Sequence, residues 1–203
     1  DDVEYAEKYI NLINIKDNDL VFGIHPGCST LKNHIKRRWE PEKFSELGRK
    51  LIDEYNGKVL IFGGPEEAEL KEQVKNEIYS DNAMVVETQN LRQSAAVMER
   101  CQVFITNDSS LMHIASALQL NVVAVIGPTN TNYIHPWKTD YKIASLDLDC
   151  APCFYYSPKP LTCYRDDVYF KCIKELGVDL VYSKVQEFMD EKFNYYQNNS
   201  SRN

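Results

Sequence analysis

The chain has no run approaching 18 apolar residues and no opening pattern of basic, apolar and small residues. Neither a membrane-spanning helix nor a secretory leader is therefore legible, and the expected setting is cytoplasmic. It also lacks positive charge: 23 Lys and Arg against 30 Asp and Glu leave a formal net charge of −7. That balance argues against a general binder of nucleic acid or anionic membrane, although local basic clusters can still hold phosphates. No Gly-x-Gly-x-x-Gly fingerprint and no P-loop occurs, which weakens ordinary dinucleotide and kinase-like readings. Internal repeats and low-complexity runs are missing too. Even an initiator methionine is absent: the chain opens Asp1-Asp2-Val3-Glu4-Tyr5, as the second half of a longer chain or a processed precursor would.

What remains is enough sequence, 203 residues, for one substantial α/β domain or two small ones. Short apolar runs at 20–24, 58–62, 83–86, 103–106 and 121–126 alternate with segments of helical spacing. One such segment opens at Pro41 and carries Phe44, Leu47, Leu51 and Tyr55; another carries Leu70, Val74 and Ile78. Strands separated by helices of this length imply right-handed βαβ units and a parallel sheet. The predicted fold class is α/β, a Rossmann-like parallel sheet flanked by helices, with its core over about 18–146. A cysteine-rich irregular segment at 147–172 and a closing helix at 177–192 complete a domain of 1–193. The polar residues 194–203 are predicted as a disordered tail.

In open parallel sheets ligands bind at the carboxyl edge of the strands. The most informative turn there is Asn107-Asp108-Ser109-Ser110, followed by Met112-His113 at the start of a helix. A strand, a polar hinge and a helix aim backbone N–H groups and the positive helix end at one point, suited to phosphate. Asp108 can accept from sugar hydroxyls; Ser109 and Ser110 can donate to phosphate oxygens. The plainer alternative is an N-cap contributing about 1 kcal/mol, with His113 a buried, hydrogen-bonded side chain.

Two further turns qualify. His25-Pro26-Gly27 turns sharply, Ser29 and Thr30 carry hydroxyls, and Lys36-Arg37-Arg38 carry charge; a solvated basic loop would look the same. Trp39 reads as a packing residue. Gly63-Gly64 permits close backbone approach, and Glu66 or Glu67 could grip a ribose diol or simply complement a helix dipole. Cys150, Cys153, Cys163 and Cys172 form a Cys-x2-Cys-x9-Cys-x8-Cys series, readable as a structural zinc site or as reduced, partly buried cysteines. Cys28 and Cys101 read as structural.

Several stretches, in order, carry a resemblance: Pro26-Gly27-x-Ser29 leading to Arg37-Arg38-Trp39; Phe62-Gly63-Gly64; Asn107-Asp108-Ser109-x-x-Met112-His113; Ala115-x-Ala117-Leu118; and Gly127-Pro128-Thr129. Together they resemble the C-terminal half of the heptosyltransferases of lipopolysaccharide core synthesis, glycosyltransferase family 9, from about residue 22 to 137 and on towards 189. The resemblance implies one half of a GT-B glycosyltransferase, the half that binds the nucleotide-sugar donor, typically ADP-heptose. Transfer would be inverting, would require no metal or other cofactor, and would go to a lipid-linked saccharide acceptor held by an N-terminal half. That half, with the general base, is not in this chain, so no catalytic residue is assigned here. No nucleic acid partner is implied; peripheral association with the inner face of the plasma membrane is.

By position, the resemblance places Ser29, Thr30 and Arg37 (or Lys36) at the diphosphate, Glu66 near the ribose and Gln89 near the base. Asp108 would bind the sugar, Ser109 and Ser110 the phosphate, and His113 would support the loop from behind. The chain departs from the family in having Ser110 where glycine is common and an apparent insertion at 31–36. Asp147-Leu148-Asp149 formally matches an Asp-x-Asp metal motif. Two other functions fit the same residues: a stand-alone, non-catalytic nucleotide-sugar binding module, or another GT-B enzyme such as a sugar-nucleotide epimerase.

Overall fold

The computed structural model describes residues 1–155 and 159–200, with side chains described to residue 191. Among the described residues six strands form one parallel sheet: β1 (Val21–His25), β2 (Lys58–Ile61), β3 (Ala83–Val85), β4 (Val103–Asn107), β5 (Asn121–Val125) and β6 (Tyr141–Ala144). Their order is β3-β2-β1-β4-β5-β6. Helices α1 (Asp2–Leu12), α2 (Pro41–Tyr55), α3 (Ala68–Ile78), α4 (Leu91–Met98), α5 (Ser110–Ala117), α6 (Lys171–Lys174) and α7 (Val178–Ser200) surround it.

The strands are continuous apolar runs because both faces of the sheet are covered. Successive side chains point to opposite faces, so each run divides between two cores. Phe22, Ile24, Val59, Ile61, Ile105, Val123 and Val125 pack on one side against α2, α3 and α7. Val21, Leu60, Phe62, Phe104, Val122 and Ala124 pack on the other with residues of α1, α4 and α5. Phe44, Leu47 and Leu51, placed on one face of α2 by helical spacing, are fully buried. Each such side chain contributes about 1.5–3 kcal/mol by leaving water. Pro41 occupies the first turn of α2, and Asn56 ends it in the left-handed conformation before Gly57.

Two boundaries differ from the sequence reading. Strand β6 was not expected, because Tyr141-Lys142-Ile143-Ala144 is short and only half apolar; it forms by pairing with β5, from Val122↔Tyr141 to Val125↔Ala144. The closing helix extends to Ser200 rather than ending near 192, with neither glycine nor proline between 178 and 200 to stop it. Of the predicted tail, 201–203 lie outside the described residues, as do 156–158 of the cysteine-rich segment.

Candidate functional site

The strand order reverses between β1 and β4, and at such a switch point the connections leave in opposite directions, opening a crevice at the carboxyl edge. A cleft of about 1260 Å³ lies there. Its lining comes from the turn after β1 (His25, Ser29, Thr30, Arg37, Arg38), the turn after β2 (Gly63, Gly64, Glu66, Glu67), the loop after β3 (Gln89) and the β4–α5 turn (Asp108, Ser109, Ser110, His113). Lys71 of α3 joins them. All the predicted site residues except Lys36 are therefore brought together.

The floor is built from hydrogen bonds that short polar side chains make to neighbouring backbone. Asn107, fully buried at the end of β4, accepts from the Trp39 N–H at 2.9 Å and donates to the carbonyls of Pro26 and Gly27 at 2.8 and 3.2 Å. One side chain thus fastens both ends of the 25–39 loop to the neighbouring strand. Trp39 is fully buried as expected; its Nε1 donates to the Leu176 carbonyl at 2.8 Å and its ring meets Phe44 edge-on. The loop between forms a kinked 3-10 segment, Leu31–Arg37, with Lys32 and Asn33 at positive φ. The kink turns Arg37 inward and leaves Lys36 exposed, away from the cleft, which corrects the assignment of Lys36 to the diphosphate.

Arg37 and Asp108, expected to meet different parts of a ligand, meet each other. Their side chains are 3% and 4% exposed and form a salt bridge through Arg37 Nη1 and Asp108 Oδ2. The Thr129 hydroxyl donates to the same carboxylate oxygen at 2.7 Å. The Arg37 guanidinium also lies over the Phe154 ring, 5.6 Å from its centre, and 3.4 Å from His34 Nδ1. Burial, followed by the Arg37 charge, pushes the His34 pKa down. Arg38 faces the cleft beside this pair; it donates to the Cys28 carbonyl at 3.4 Å and lies 3.8 Å from Glu67 Oε1.

His25 occupies the centre, 3% exposed. Its Nδ1 lies 3.0 Å from Ser109 Oγ and 3.3 Å from Thr106 Oγ1; its Nε2 lies 3.0 Å from Glu67 Oε2. Burial alone would raise the Glu67 pKa, but the hydrogen bond and charge of His25, the Gly64 N–H and Arg38 together hold it below its ordinary value. Gly27 leaves room for the Glu67 carboxylate, which a Cβ there would displace. Ser109 is the N-cap residue of α5, yet its hydroxyl makes no capping bond. The cap alternative is thus not realised by that hydroxyl, which instead meets His25 and Thr106.

His113 shifts as well. It does not stand behind the loop: it is exposed and faces the cleft, because Leu111, Met112 and Ala115 take the buried face of α5. Glu66 lines the cleft as expected, but the acid knitted into the site is Glu67. The four cysteines of the 150–172 series lie close enough for their thiols to influence one another, yet they pack in different surroundings. Cys172 packs into the main core with Ile173 and Leu176, while Cys163 packs against Phe154, Leu161 and Phe170. Among the described residues no three His, Cys, Asp or Glu side chains are grouped to hold a metal ion. Burial, reinforced by the neighbouring thiols, raises the Cys172 pKa to about 12 and moves that of Cys153 upward.

The sequence reading took His25 only as part of a turn and Thr129 only as part of Gly127-Pro128-Thr129. A polar residue ending a buried apolar strand was the available signal for His25. Thr129 had none, since its partner lies 21 positions away.

The fold and cleft define a Rossmann-like domain with a polar cleft at the carboxyl edge of its parallel sheet. The pattern of glycosyltransferase family 9 (heptosyltransferase) matches residues 4–164, and the chain belongs to that family. Lipooligosaccharide heptosyltransferase 2 of Campylobacter jejuni (serotype O:6, strain 81116) is 28% identical over 188 residues, covering 89% of this chain and 55% of that protein. The solved structure of E. coli ADP-heptose lps heptosyltransferase II has a TM-score of 0.73 at 19% identity, covering 93% of this chain and 52% of the other. E. coli heptosyltransferase WaaC with ADP-2-deoxy-2-fluoro heptose has a TM-score of 0.61 at 16% identity, covering 90% and 47%. These two likenesses establish the fold, that of one half of a GT-B architecture. The chain spans about half the length of the C. jejuni relatives it matches, 55% in each case.

Proposed function

We propose that this chain is the donor-binding half of an inverting heptosyltransferase. It would hold ADP-heptose for transfer to a lipopolysaccharide-core or related cell-envelope acceptor carried by a second half. The observation that carries this reading is the convergence on one cleft of a glycine- and hydroxyl-bearing turn, a Gly-Gly turn, Arg38 and the N-terminal end of α5. Membership of the heptosyltransferase family, and ADP-2-deoxy-2-fluoro heptose in the structure of a protein of the same fold, support it.

In this reading the diphosphate lies between Ser29-Thr30 and Ser109-Ser110, with Arg38 and the Arg37–Asp108 pair beside it. Glu66 faces the ribose, the backbone around Gln89 flanks the base, and His113 reaches the phosphate side of the cleft. Transfer is a direct displacement at the anomeric carbon. A base in the other half removes the acceptor hydroxyl's proton, and the arginines and helix end stabilise the departing nucleoside diphosphate without a metal. The enzyme works on the cytoplasmic side of the membrane; among the described residues no helix is long and apolar enough to cross one.

Calorimetric titration of the protein with ADP, UDP, GDP and CMP tests this. Selective ADP binding, weakened about tenfold or more by Ser110→Ala through loss of a hydrogen bond to a charged group, is expected. Preference for another nucleotide would discard heptose as the sugar, and no binding to any would overturn the assignment of the cleft.

A further inference from the structure

The contacts of His25 determine which of its nitrogens can change protonation. Nε2 faces Glu67 Oε2 at 3.0 Å, and Glu67, held below its ordinary pKa, is a carboxylate that can only accept. Nε2 therefore carries a proton whether the ring is neutral or cationic, and Nδ1 is the atom that titrates. Facing Nδ1 are two hydroxyls, Ser109 at 3.0 Å and Thr106 at 3.3 Å. Thr106 donates its proton to the Asn107 carbonyl at 3.0 Å. With a neutral ring, the donor to Nδ1 is then Ser109, whose single proton points inward, away from the cleft. With a cationic ring, Nδ1–H donates to the hydroxyl oxygens, and the Ser109 proton is released from Nδ1, free to turn to Thr106 Oγ1 at 3.1 Å or outward to an acceptor in the cleft.

A diphosphate oxygen is an acceptor only, so it can take a hydrogen bond from Ser109 in the second state and not in the first. We infer that His25 gains a proton when a diphosphate occupies the cleft, and that this proton turns the Ser109 hydroxyl toward the ligand, making donor binding proton-linked. His25 is in this sense a positioning residue acting through Ser109. The inference rests on the reading of the cleft as a nucleotide-sugar diphosphate site.

The surrounding charges favour such a response. Glu67 supplies a negative partner for the buried cation, and the ligand brings further negative charge to the opposite side. Arg38, 3.8 Å from Glu67, and Lys71, which donates to the Gly63 carbonyl at 3.3 Å, are the opposing positive groups. The Arg37–Asp108 pair beside Ser109 is internally neutralised. His113 also lines the cleft and must be separated from His25 in any measurement.

The test uses ADP-glucose, a diphosphate diester whose phosphates have no proton to exchange near neutral pH, unlike the terminal phosphate of ADP. Calorimetric titration in buffers of differing ionisation enthalpy, from about pH 5.5 to 8.5, counts the protons taken up. The expected result is an uptake approaching but not exceeding one proton. Affinity should fall as pH rises, by at most about tenfold per pH unit for a single linked proton. His25→Gln should abolish the uptake, and His113→Gln should retain it. Binding of ADP-glucose without uptake at any pH, or uptake lost with His113 instead, would overturn the inference while leaving the donor-site reading intact. Absence of ADP-glucose binding at every pH would overturn both. Should His25→Gln fail to fold, the uptake and pH slope of the unaltered protein, together with His113→Gln, still decide the matter.

Discussion

Asp108→Asn isolates the charge of the buried pair at the base of the cleft. Asparagine keeps the shape of the side chain and can still accept from the Thr129 hydroxyl, so the change is chiefly electrostatic. It strands the Arg37 guanidinium, whose side chain is 3% exposed, without its carboxylate. Removing one member of a buried ion pair typically costs about 3–5 kcal/mol, because the remaining charge is neither hydrated nor compensated. For a domain of this size each kcal/mol lowers Tm by about 2–4 °C, so a fall of roughly 10 °C is expected in a thermal scan. Urea unfolding should show the same loss in the midpoint with an unchanged slope. Arg37→Met combined with Asp108→Leu removes both charges and should recover most of the stability, since no unpaired charge is left behind. A loss below about 1 kcal/mol for Asp108→Asn would mean that the pair behaves as a solvated surface bridge, and would refute the account of a charge-neutralised floor.

Two further outcomes are expected. Trp39→Phe removes the Nε1 donor to the Leu176 carbonyl, but Lys43 Nζ also donates to that oxygen at 3.1 Å. The hydrogen-bond loss should therefore stay near 1 kcal/mol by urea unfolding, plus the packing lost with the smaller ring; a hydrogen-bond loss well above this would show that the lysine does not compensate. Glu67, depressed below 4.5, contributes stability that is fully present above its unfolded pKa and is lost as pH falls through the lower folded value. Between about pH 6 and 3 the unaltered protein should lose stability more steeply than Glu67→Gln, the difference not exceeding about 1.4 kcal/mol per pH unit. Parallel curves would remove Glu67 from the set of stabilising carboxylates.

Much of the scaffold was readable before any coordinates. The apolar runs at 20–24, 58–62, 83–86, 103–106 and 121–126 locate five strands, and the spacing of Phe44, Leu47 and Leu51 locates the buried face of α2. β6 escaped because it is a strand by virtue of its neighbour rather than its own pattern. The cysteine series shows how little spacing says about packing: Cys172 joins the main core, Cys163 packs against a small apolar cluster, and Cys150 and Cys153 are exposed.

The cleft residues were legible as a set but not as partners. Motif order places Ser29, Thr30, Glu66, Gln89, Asp108, Ser109 and Ser110 at one edge, and the structure keeps them there. It does not foretell that Arg37 closes on Asp108, that Lys36 turns outward, that His113 faces the cleft, or that His25 links Ser109 to Glu67. The division has a physical cause. Periodicity and turn chemistry act over a few residues and are written locally, so the sequence alone determined strands, helices and the edge where their turns collect. Hydrogen bonds and ion pairs between residues 42, 71 and 84 positions apart depend on side-chain direction and on which groups lose water together. Only the assembled tertiary structure decides those.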